Sequence, residues 1–394
     1  MPSLFLPKQI HLEFGGISEL ANIVEETGEK KVLVVMDAFL AQEPINLNMK
    51  VKRILEEQNI SVAFFSDFRG EPNTVHLNKA LNKLNEAQAS CIIAIGGGSA
   101  IDLAKAIAVF GKNPNLDWDE IVGRKRLARL PLIAIPTTAG TGSEVTKVMV
   151  ITNTETNIKM NPGHPSLIPD IAILDPELTM SLPQNFTVYT GIDALAHAME
   201  AYVSTRSSVL SDHYALEAIK MAGDALPKVY KDGNDREARK NMLLASCYAG
   251  VAFSNASTNL AHATARPLGA RFHIPHGLSV ALLLPFVIEF GLEIAEDRYS
   301  KVSLALGGQE RGDNSILAKQ TLEIVDSYNE QFNVWKDGLS YIELENLKES
   351  IPILVEDSLS GNGITTNPKL PSYKDVQKIF ESLYHKLSIT SISV

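Results

Sequence analysis

Four residues in the second half of the chain have the types and the spacing of a metal site. Asp193 and His197 occur in GIDALAHAME, and His262 and His276 occur in AHATARPLGARFHIPHG. Because Asp193 and His197 are four positions apart in a helical pattern, their side chains project from one face and can bind one cation. The chain has only nine histidines in 394 residues, so two more in a short stretch with glycine and proline are hard to attribute to chance.

The donor types limit the metal to a class of ions. Three imidazole nitrogens and one carboxylate suit Fe(II), Zn(II), Mn(II) or another first-row divalent ion. Closed structural zinc sites usually contain thiolates, so this donor set favours Lewis-acid catalysis. Taken alone, each histidine is explained better as a core or helix-cap residue than as a metal ligand. The prediction of a metal site therefore depends on the whole set.

A glycine-rich turn in the first half has the pattern of a phosphate site. The apolar run CIIAI leads into GGGSAIDLAKAIA, which puts Gly96, Gly97, Gly98 and Ser99 at a predicted strand-to-helix turn. Glycines let a phosphate approach the backbone closely, and the free amides of the following helix stabilise its negative charge. The turn predicts a pyrophosphate site, while tight packing of the strand against the helix explains the glycines equally well.

Two further features point to a dinucleotide. The loop PTTAGTGSEVT (136–146) interleaves hydroxyl groups with glycine and can hydrogen-bond a nucleotide. Asp37 ends the strand pattern VLVVMD, where a carboxylate accepts hydrogen bonds from adenosine ribose and repels a 2′-phosphate. Taken alone, Asp37 is explained better as an ordinary turn residue than as a contact to the cofactor. Together with the glycine turn, these features predict NAD rather than NADP.

The apolar pattern of the chain predicts that a sheet, followed by a series of helices, carries these residues. Five β-branched runs have the pattern of strands buried on both faces, at 31–37, 61–67, 91–99, 130–138 and 170–178. Amphipathic stretches between them predict crossover helices, residues 148–161 predict a hairpin, and the chain after about residue 180 has a helical pattern. We therefore predict an α/β dinucleotide-binding domain with a parallel sheet at 1–182 and an all-α metal-binding domain at 183–394.

Composition excludes several classes of protein. The 36 basic and 46 acidic residues give a net charge of -10, which argues against nucleic-acid and anionic-membrane partners. Only Cys91 and Cys247 occur, so a disulfide framework is implausible and a reducing compartment fits. The N-terminus lacks a signal-peptide pattern, and the apolar segment 280–292 is too short to span a bilayer, so it predicts a buried helix. A cytoplasmic location is expected.

The motifs taken together resemble those of one family over nearly the whole chain. GGGSAIDLAK, PTTAGTGSEVT, DIAILDPELT, GIDALAHAMEAYVS and AHATARPLGARFHIPHG are similar to motifs of the iron-dependent (group III) alcohol dehydrogenases. The resemblance implies an NAD-linked oxidoreductase, at least a homodimer, with Fe(II) held by Asp193, His197, His262 and His276. It also implies that the following residues contact NAD: Asp37, Gly97, Gly98, Ser99, Thr137, Thr138, Thr141, Ser143, Val145, Lys159 and Leu178.

One position departs from the family pattern. Where most members read HAMAHPLGA, this chain reads HATARPLGA, with Arg266 in place of the second histidine. Arginine stays charged and cannot relay a proton, so proton transfer would use water, a cofactor hydroxyl or His273. A guanidinium one helical turn from His262, with Arg271 and Lys147 as candidate helpers, favours an anionic substrate. The expected substrates are small aldehydes such as sulfoacetaldehyde, phosphonoacetaldehyde or succinate semialdehyde.

Other interpretations remain open at this point. Arg266 could pair with a nearby acid and only support its loop, and the substrate could be a neutral short-chain alcohol or diol. A zinc-dependent polyol dehydrogenase or a cyclising synthase also has a GGG turn, although the GTGSEVT and DALAH motifs disfavour both. A nucleotide-binding protein without catalysis is a further alternative.

Overall fold

The computed structural model describes residues 2–393, which form two compact units. One unit spans Phe5–Ser181, and the other comprises residues 2–4 and 182–393. All strands of the described chain lie in the first unit, and the second contains helices with one short 3-10 turn. The predicted combination of an α/β part with a parallel sheet and an all-α part is confirmed.

A sheet forms the centre of the first unit. Its strands are β1 (Gln9–Leu12), β2 (Lys31–Met36), β3 (Ser61–Phe65), β4 (Cys91–Gly96) and β5 (Leu132–Pro136), while β6 (Ile151–Thr152) and β7 (Lys159–Met160) pair separately and β8 (Ile171–Leu174) returns to the sheet. The order is β1-β8-β5-β4-β2-β3, and every neighbouring pair is parallel. The antiparallel pair β6 and β7 is the predicted hairpin within 148–161.

Helices cover both faces of the sheet. They are α1 (Leu20–Glu26), α2 (Ala38–Ala41), α3 (Leu47–Glu56), α4 (Thr74–Ala87), α5 (Gly98–Phe110) and α6 (Glu120–Gly123). Successive strand residues point to opposite faces, so Ile92 joins a core with α4 and α5 while Ile93 joins a core with α1 and α3. Double coverage explains why β4 is buried throughout and why its sequence is apolar without alternation.

The carboxyl ends of β4 and β5 bring two loops together. Gly96 at the end of β4 pairs in register with Pro136 at the end of β5. The backbone N–H of Thr137 donates to the carbonyl of Gly96 at 3.0 Å. The glycine turn and the hydroxyl-rich loop therefore begin side by side, at the edge where ligands bind in sheets of this kind.

Strand β1 was not among the five predicted strands. It has four residues, three of them exposed, and it forms the edge of the sheet beside β8. An edge strand with an exposed face lacks the continuous apolar run that reveals a central strand. Its pairing partner begins about 160 residues later, so no local pattern could indicate it.

The second unit is built from ten helices in its described residues. They are α7 (Gln184–Val203), α8 (Val209–Lys231), α9 (Arg236–Asn255), α10 (Leu260–Phe272), α11 (His276–Gly291), α12 (Glu296–Ala305), α13 (Asn314–Gln331), α14 (Val334–Leu339), α15 (Leu344–Ser360) and α16 (Tyr373–Ser393). Helix α7 packs against α8, α9 and α11, which makes it the central helix of the unit. Sixteen of its twenty residues are buried.

The most apolar helix is α11, as the sequence predicted. Eleven of its residues are buried, and it contains Pro285. Throughout residues 2–393, no helix combines the length and the apolar character needed to cross a bilayer.

Candidate functional site

Helix α7 supplies an acid and a histidine to one buried point. Asp193 and His197 are four residues apart and are only 3% and 6% exposed. His197 Nδ1 lies 3.8 Å from Asp193 Oδ2. The helix is otherwise apolar around them, so the two polar side chains occupy a site where unpaired groups are costly.

Two further histidines approach Asp193 from neighbouring helices. His262 lies in the first turn of α10, and its Nε2 is 3.2 Å from Asp193 Oδ1. His276 is the first residue of α11, and its Nε2 is 3.7 Å from the same oxygen. Asp193, His262 and His276 each offer a ligand atom, and these atoms all lie within 4.8 Å of one another. Three helices therefore converge on one carboxylate.

His197 adds a fourth donor, the third imidazole nitrogen, beside this group. Its ring stacks on His262 at 4.2 Å between centroids and on Phe253 at 4.3 Å. Its Nδ1 is buried and has no hydrogen-bond partner. A buried imidazole nitrogen without a partner, next to three converging donors, fits a divalent metal ion, because buried polar atoms normally find a partner. The donor set suits the first-row ions that the sequence suggested.

The electrostatics of the group attract positive charge. Burial opposes ionisation of Asp193, but the three neighbouring imidazoles outweigh it and hold its pKa far below the usual range. Burial lowers the pKa of His197 to about 3, which keeps that imidazole neutral. Burial also opposes protonation of His262, yet the carboxylates of Glu200 and Asp193 raise its pKa to about 9. Protons must leave such a site when a metal ion binds.

Close packing at Gly277 allows α11 to approach α7. A Cβ atom added at Gly277 would lie 2.2 Å from the backbone oxygen of Tyr189, which is far inside van der Waals contact. Only glycine fits at this position. Gly277, which directly follows His276, therefore determines how near His276 comes to Asp193.

Glu200 was not among the predicted site residues, yet it contacts His262 directly. Glu200 is 3% exposed, and its Oε2 lies 2.5 Å from His262 Nδ1. A signal was present, because Glu200 is seven residues after Asp193 and therefore lies on the same face of an apolar helix. A carboxylate buried in that position requires a partner.

Arg266 lies one turn after His262 on α10, without an ion-pair partner. Its guanidinium forms one long hydrogen bond, 3.4 Å from Nη1 to the carbonyl of Asn362. Burial lowers its pKa, and the charge of Glu200 acts in the opposite direction. No carboxylate oxygen of the described residues lies within 4.0 Å of it. The interpretation in which Arg266 pairs with a nearby acid therefore has no support in the described chain.

The two cations suggested as helpers of Arg266 are engaged elsewhere. Arg271 Nε donates to Ser350 Oγ at 2.6 Å, and Lys147 lies over the ring of Phe5 at 5.3 Å in the α/β unit. His273 is an exposed residue that ends α10 with a positive φ of 53°. Among the described residues, no hydrogen bond or ring contact joins His273 to Asp193, His197 or His262.

In the α/β unit, the glycine turn and the hydroxyl-rich loop touch. A Cβ atom added at Gly97 would lie 3.3 Å from Thr138 Oγ1, and one added at Gly98 would lie 2.9 Å from Thr141 Cγ2. Gly98 and Ser99 open the thirteen-residue helix α5, whose first amides are free to bind an anion. The turn therefore presents unhindered backbone amides next to two threonines.

A buried ionic cluster holds the C-terminal part of the hydroxyl-rich loop in place. Its two charged residues, Lys105 and Asp102, were not among the predicted site residues. Lys105 is fully buried on α5, and its Nζ donates to Ser143 Oγ and Thr146 Oγ1 at 2.9 Å each and to the carbonyl of Val148 at 2.7 Å. Asp102 accepts from Ser143 Oγ at 2.5 Å. The Ser143 hydroxyl is thus used inside the protein, so its donated hydrogen bond is not available to a dinucleotide.

The remaining predicted cofactor residues are placed as follows. Asp37 follows β2 and caps α2, with its Oδ1 accepting from the N–H of Phe39 at 2.8 Å. Val145 is fully buried, and Leu178 packs against the apolar core. Lys159 on β7 forms an ion pair with Glu71 at 2.6 Å. No contact of the described residues joins Lys159 to the glycine turn.

Comparison with known proteins covers both units. The family model "Iron-containing alcohol dehydrogenase" matches residues 7–176, and "Fe-containing alcohol dehydrogenase family, C-terminal" matches residues 187–384. Alcohol dehydrogenase 4 of Saccharomyces cerevisiae is 36% identical over 373 residues, which is 94% of this chain and 95% of the yeast protein.

Two solved structures have the same fold over nearly their full length. An alcohol dehydrogenase from Oenococcus oeni has a TM-score of 0.92 at 28% identity, covering 98% of this chain and 100% of that one. A sulfoacetaldehyde reductase from Bifidobacterium kashiwanohense in complex with NAD+ has a TM-score of 0.85 at 27% identity, covering 98% and 99%. The predictions of an oxidoreductase with iron and NAD as its cofactors are confirmed at the level of the family. The chain belongs to the iron-containing alcohol dehydrogenase family.

Proposed function

We propose that the protein is an NAD(H)-linked, metal-dependent reductase of small anionic aldehydes. The observation that carries the substrate class is the position of Arg266, one turn from His262 and without a carboxylate partner. A partly buried guanidinium with one long hydrogen bond and no ion pair among the described residues gains stability from an oxyanion, which it can hold through paired hydrogen bonds. The structural similarity to a sulfoacetaldehyde reductase supports the same class.

In this proposal Asp193, His197, His262 and His276 hold the metal ion. The bound ion supplies Lewis acidity toward the substrate oxygen, and the bound dinucleotide supplies or accepts the hydride. Fe(II) is the proposed metal on the strength of the family, with Zn(II) and Mn(II) as alternatives that the same donors accept.

The residues of the chain then bind and orient the reactants. Arg266 holds the anionic group of the aldehyde and so orients its carbonyl for reduction. It cannot act as a proton donor because its guanidinium remains charged. The proton that the product alcohol needs therefore comes from water or from a ribose hydroxyl, and His273 remains a weaker candidate because it is exposed and lacks contacts with the site.

The proposed NAD site uses the touching loops of the α/β unit. The amides of Gly97, Gly98 and Ser99 would bind the pyrophosphate, and the hydroxyls of Thr138 and Thr141 would line it. Asp37 Oδ1 is used by the helix cap, which leaves Oδ2 to accept from the adenosine ribose. A 2′-phosphate would be repelled there, which supports NAD over NADP. Thr137, Ser143, Val145, Lys159 and Leu178 complete the proposed set.

We further propose that the protein acts in the cytoplasm as a homodimer or larger homo-oligomer. The chain has only two cysteines, both of them buried, and such low cysteine usage fits a reducing compartment. Light scattering of the purified protein would measure its mass, and a monomer would overturn the oligomer proposal.

A substrate panel with NADH tests the anionic class. The protein reconstituted with Fe(II) is assayed with sulfoacetaldehyde, succinate semialdehyde and neutral propionaldehyde, as wild type, Arg266→Ala and Arg271→Ala. Losing a charge-assisted hydrogen bond costs about 1.5–3 kcal/mol, so Arg266→Ala should lower kcat/KM for the anionic aldehydes by about 10- to 100-fold and leave propionaldehyde unchanged.

Arg271→Ala is the matched control, because Arg271 lies on the same helix and is engaged with Ser350. It should leave the ratio of anionic to neutral efficiency unchanged. An Arg266→Ala variant with an unchanged ratio would overturn the anionic proposal and favour the alternative of neutral short-chain alcohols or diols.

A further inference from the structure

We propose that Glu200 is a positioning residue that fixes the proton of His262 on Nδ1 and thereby turns Nε2 toward the metal ion. This inference rests on the proposed metal site and adds a residue to it. It assigns to Glu200 a role in metal affinity that is distinct from metal ligation and from catalysis. Two sets of contacts, one to a side chain and one to backbone, carry the inference.

The first contact is between the carboxylate and the imidazole. Glu200 Oε2 lies 2.5 Å from His262 Nδ1, while His262 Nε2 faces Asp193 Oδ1 at 3.2 Å. The two ring nitrogens of His262 thus face different carboxylates. A carboxylate on one nitrogen of a ligating histidine holds the ring orientation and the tautomer, and it raises the basicity of the other nitrogen.

The second set of contacts involves the start of α10. The N-cap residue of this helix, Asn259, makes no side-chain cap. Glu200 Oε1 takes that place and accepts from the backbone N–H of Ala261 at 2.6 Å and of His262 at 3.4 Å. The carboxylate is therefore held on its other oxygen by backbone donors that cannot rotate away, so Oε2 stays directed at the imidazole.

Asn259 completes a reciprocal connection between the two helices. Its Nδ2 donates to the backbone carbonyl of Glu200 at 2.7 Å. Helix α7 thus supplies Asp193 and His197 and also holds the helix that carries His262. Because Glu200, Asn259 and His262 are all buried, little water competes for these hydrogen bonds.

A substitution of Glu200 by glutamine separates the two roles of the carboxylate. The glutamine oxygen can accept from Ala261 only if its NH2 group faces His262 Nδ1. That nitrogen must then accept, which moves the imidazole proton to Nε2, where it blocks metal binding. In the reverse orientation the NH2 group faces the amide of Ala261, and two donors oppose each other. Glutamine can therefore serve the helix or the tautomer, but not both.

The test measures Co(II) binding by Glu200→Gln, Asn259→Ala and Glu237→Gln. Metal-depleted protein is titrated in competition with a chromophoric chelator, and its thermal unfolding is recorded without metal. Glu200→Gln should weaken Co(II) binding by about 10- to 100-fold and shift the Co(II) absorption bands. Asn259→Ala loses a connection between α7 and α10, so it should lower the unfolding midpoint with a smaller effect on affinity. Glu237→Gln changes a glutamate that is 70% exposed and should match the wild type.

The outcomes separate this inference from the proposed function. If Glu200→Gln bound Co(II) as tightly as the wild type, or if Asn259→Ala lost as much Co(II) affinity as Glu200→Gln, the positioning role of Glu200 would be overturned. Glu200 would then contribute only to packing. If the wild-type protein itself bound no Co(II), the proposed metal site would fail, and with it the premise of the inference.

Discussion

Two buried ionic clusters, one in each unit, differ in how completely their polar atoms are paired. In the α/β unit, the ammonium of Lys105 makes three hydrogen bonds and lies 3.5 Å from Asp102 Oδ1. Within residues 2–393 of the chain, His197 Nδ1 in the helical unit has no hydrogen-bond partner, and Arg266 has one long hydrogen bond and no ion pair. Both clusters contain buried charged side chains, since Lys105 is fully buried and Asp193 is 3% exposed.

Only one of the two clusters has polar groups left to bind a ligand. An ammonium with three hydrogen bonds has no donor left, so the Lys105 cluster can hold a loop in place but cannot bind a further group. The cluster around Asp193 retains an imidazole nitrogen without a hydrogen-bond partner among the described residues, and Arg266 on the helix of His262 has no ion pair there, so a ligand would add interactions that these groups lack. We therefore expect substitutions in the first cluster to affect stability and substitutions in the second to affect binding.

The largest expected effect is that of His262→Ala. Losing this nitrogen should reduce bound Fe(II) to below about one-tenth of the wild-type amount and kcat by more than about 1,000-fold, because Lewis-acid stabilisation is worth several kcal/mol. Metal analysis and steady-state kinetics measure both. His213→Ala, at an exposed histidine of α8, is the control. A variant with full metal content would contradict the expectation.

Lys105→Met should act on stability. Removing one partner of a buried ion pair leaves the other uncompensated, so the free energy of unfolding should fall by about 3–5 kcal/mol in a denaturant titration. The double variant with Asp102→Asn should recover part of the loss. Metal content per folded molecule should not change. If metal were lost instead, the division of roles between the clusters would be wrong.

Gly98→Ala probes the contact between the two cofactor loops. The added Cβ would approach Thr141 Cγ2 to 2.9 Å, and overpacking of this kind costs about 1–3 kcal/mol. The KM for NADH should rise roughly 10-fold while the metal content stays constant. Gly123→Ala is the matched control, since an added Cβ there meets nothing within 4 Å. Equal KM values in both variants would show that the loop contact does not shape the dinucleotide site.

The smallest effect is expected at Glu144, which stands beside the Lys105 cluster and has an unpartnered Oε1. Burial raises the pKa of Glu144 to about 7. The folded protein then keeps a proton that the unfolded chain releases, so its stability falls as the pH rises from about 4.5 through about 7. Glu144→Gln cannot ionise and should gain stability relative to wild type between pH 5 and pH 8. If the difference in melting temperature between Glu144→Gln and wild type stayed constant from pH 5 to pH 8, the raised pKa of Glu144 would be contradicted.

The sequence contained enough to predict the sheet and to choose the residues around the candidate metal site. Continuous β-branched runs such as Lys31–Met36 identify strands covered on both faces. The spacing of Asp193 and His197 depends only on the geometry of a helix. His262 and His276 were chosen by residue type and by resemblance, and the structure brings both within 4 Å of Asp193.

Features that depend on distant contacts could not be predicted. Strand β1 is recognisable only through its pairing with β8. The partner of Glu200 lies 62 residues away, and Lys105 reaches atoms 38 to 43 residues away. That no carboxylate of the described residues forms an ion pair with Arg266 is a property of the packed structure. A sequence shows which polar residues exist, but only the fold shows which of them remain unpaired.

Anomalous diffraction from crystals equilibrated with Zn(II) shows directly whether the four candidate ligands bind one divalent ion. One divalent ion should appear about 2.0–2.2 Å from atoms of Asp193, His197, His262 and His276, and this peak should be absent from His262→Ala crystals. A peak at another location, or none in crystals that bind NAD, would contradict the account.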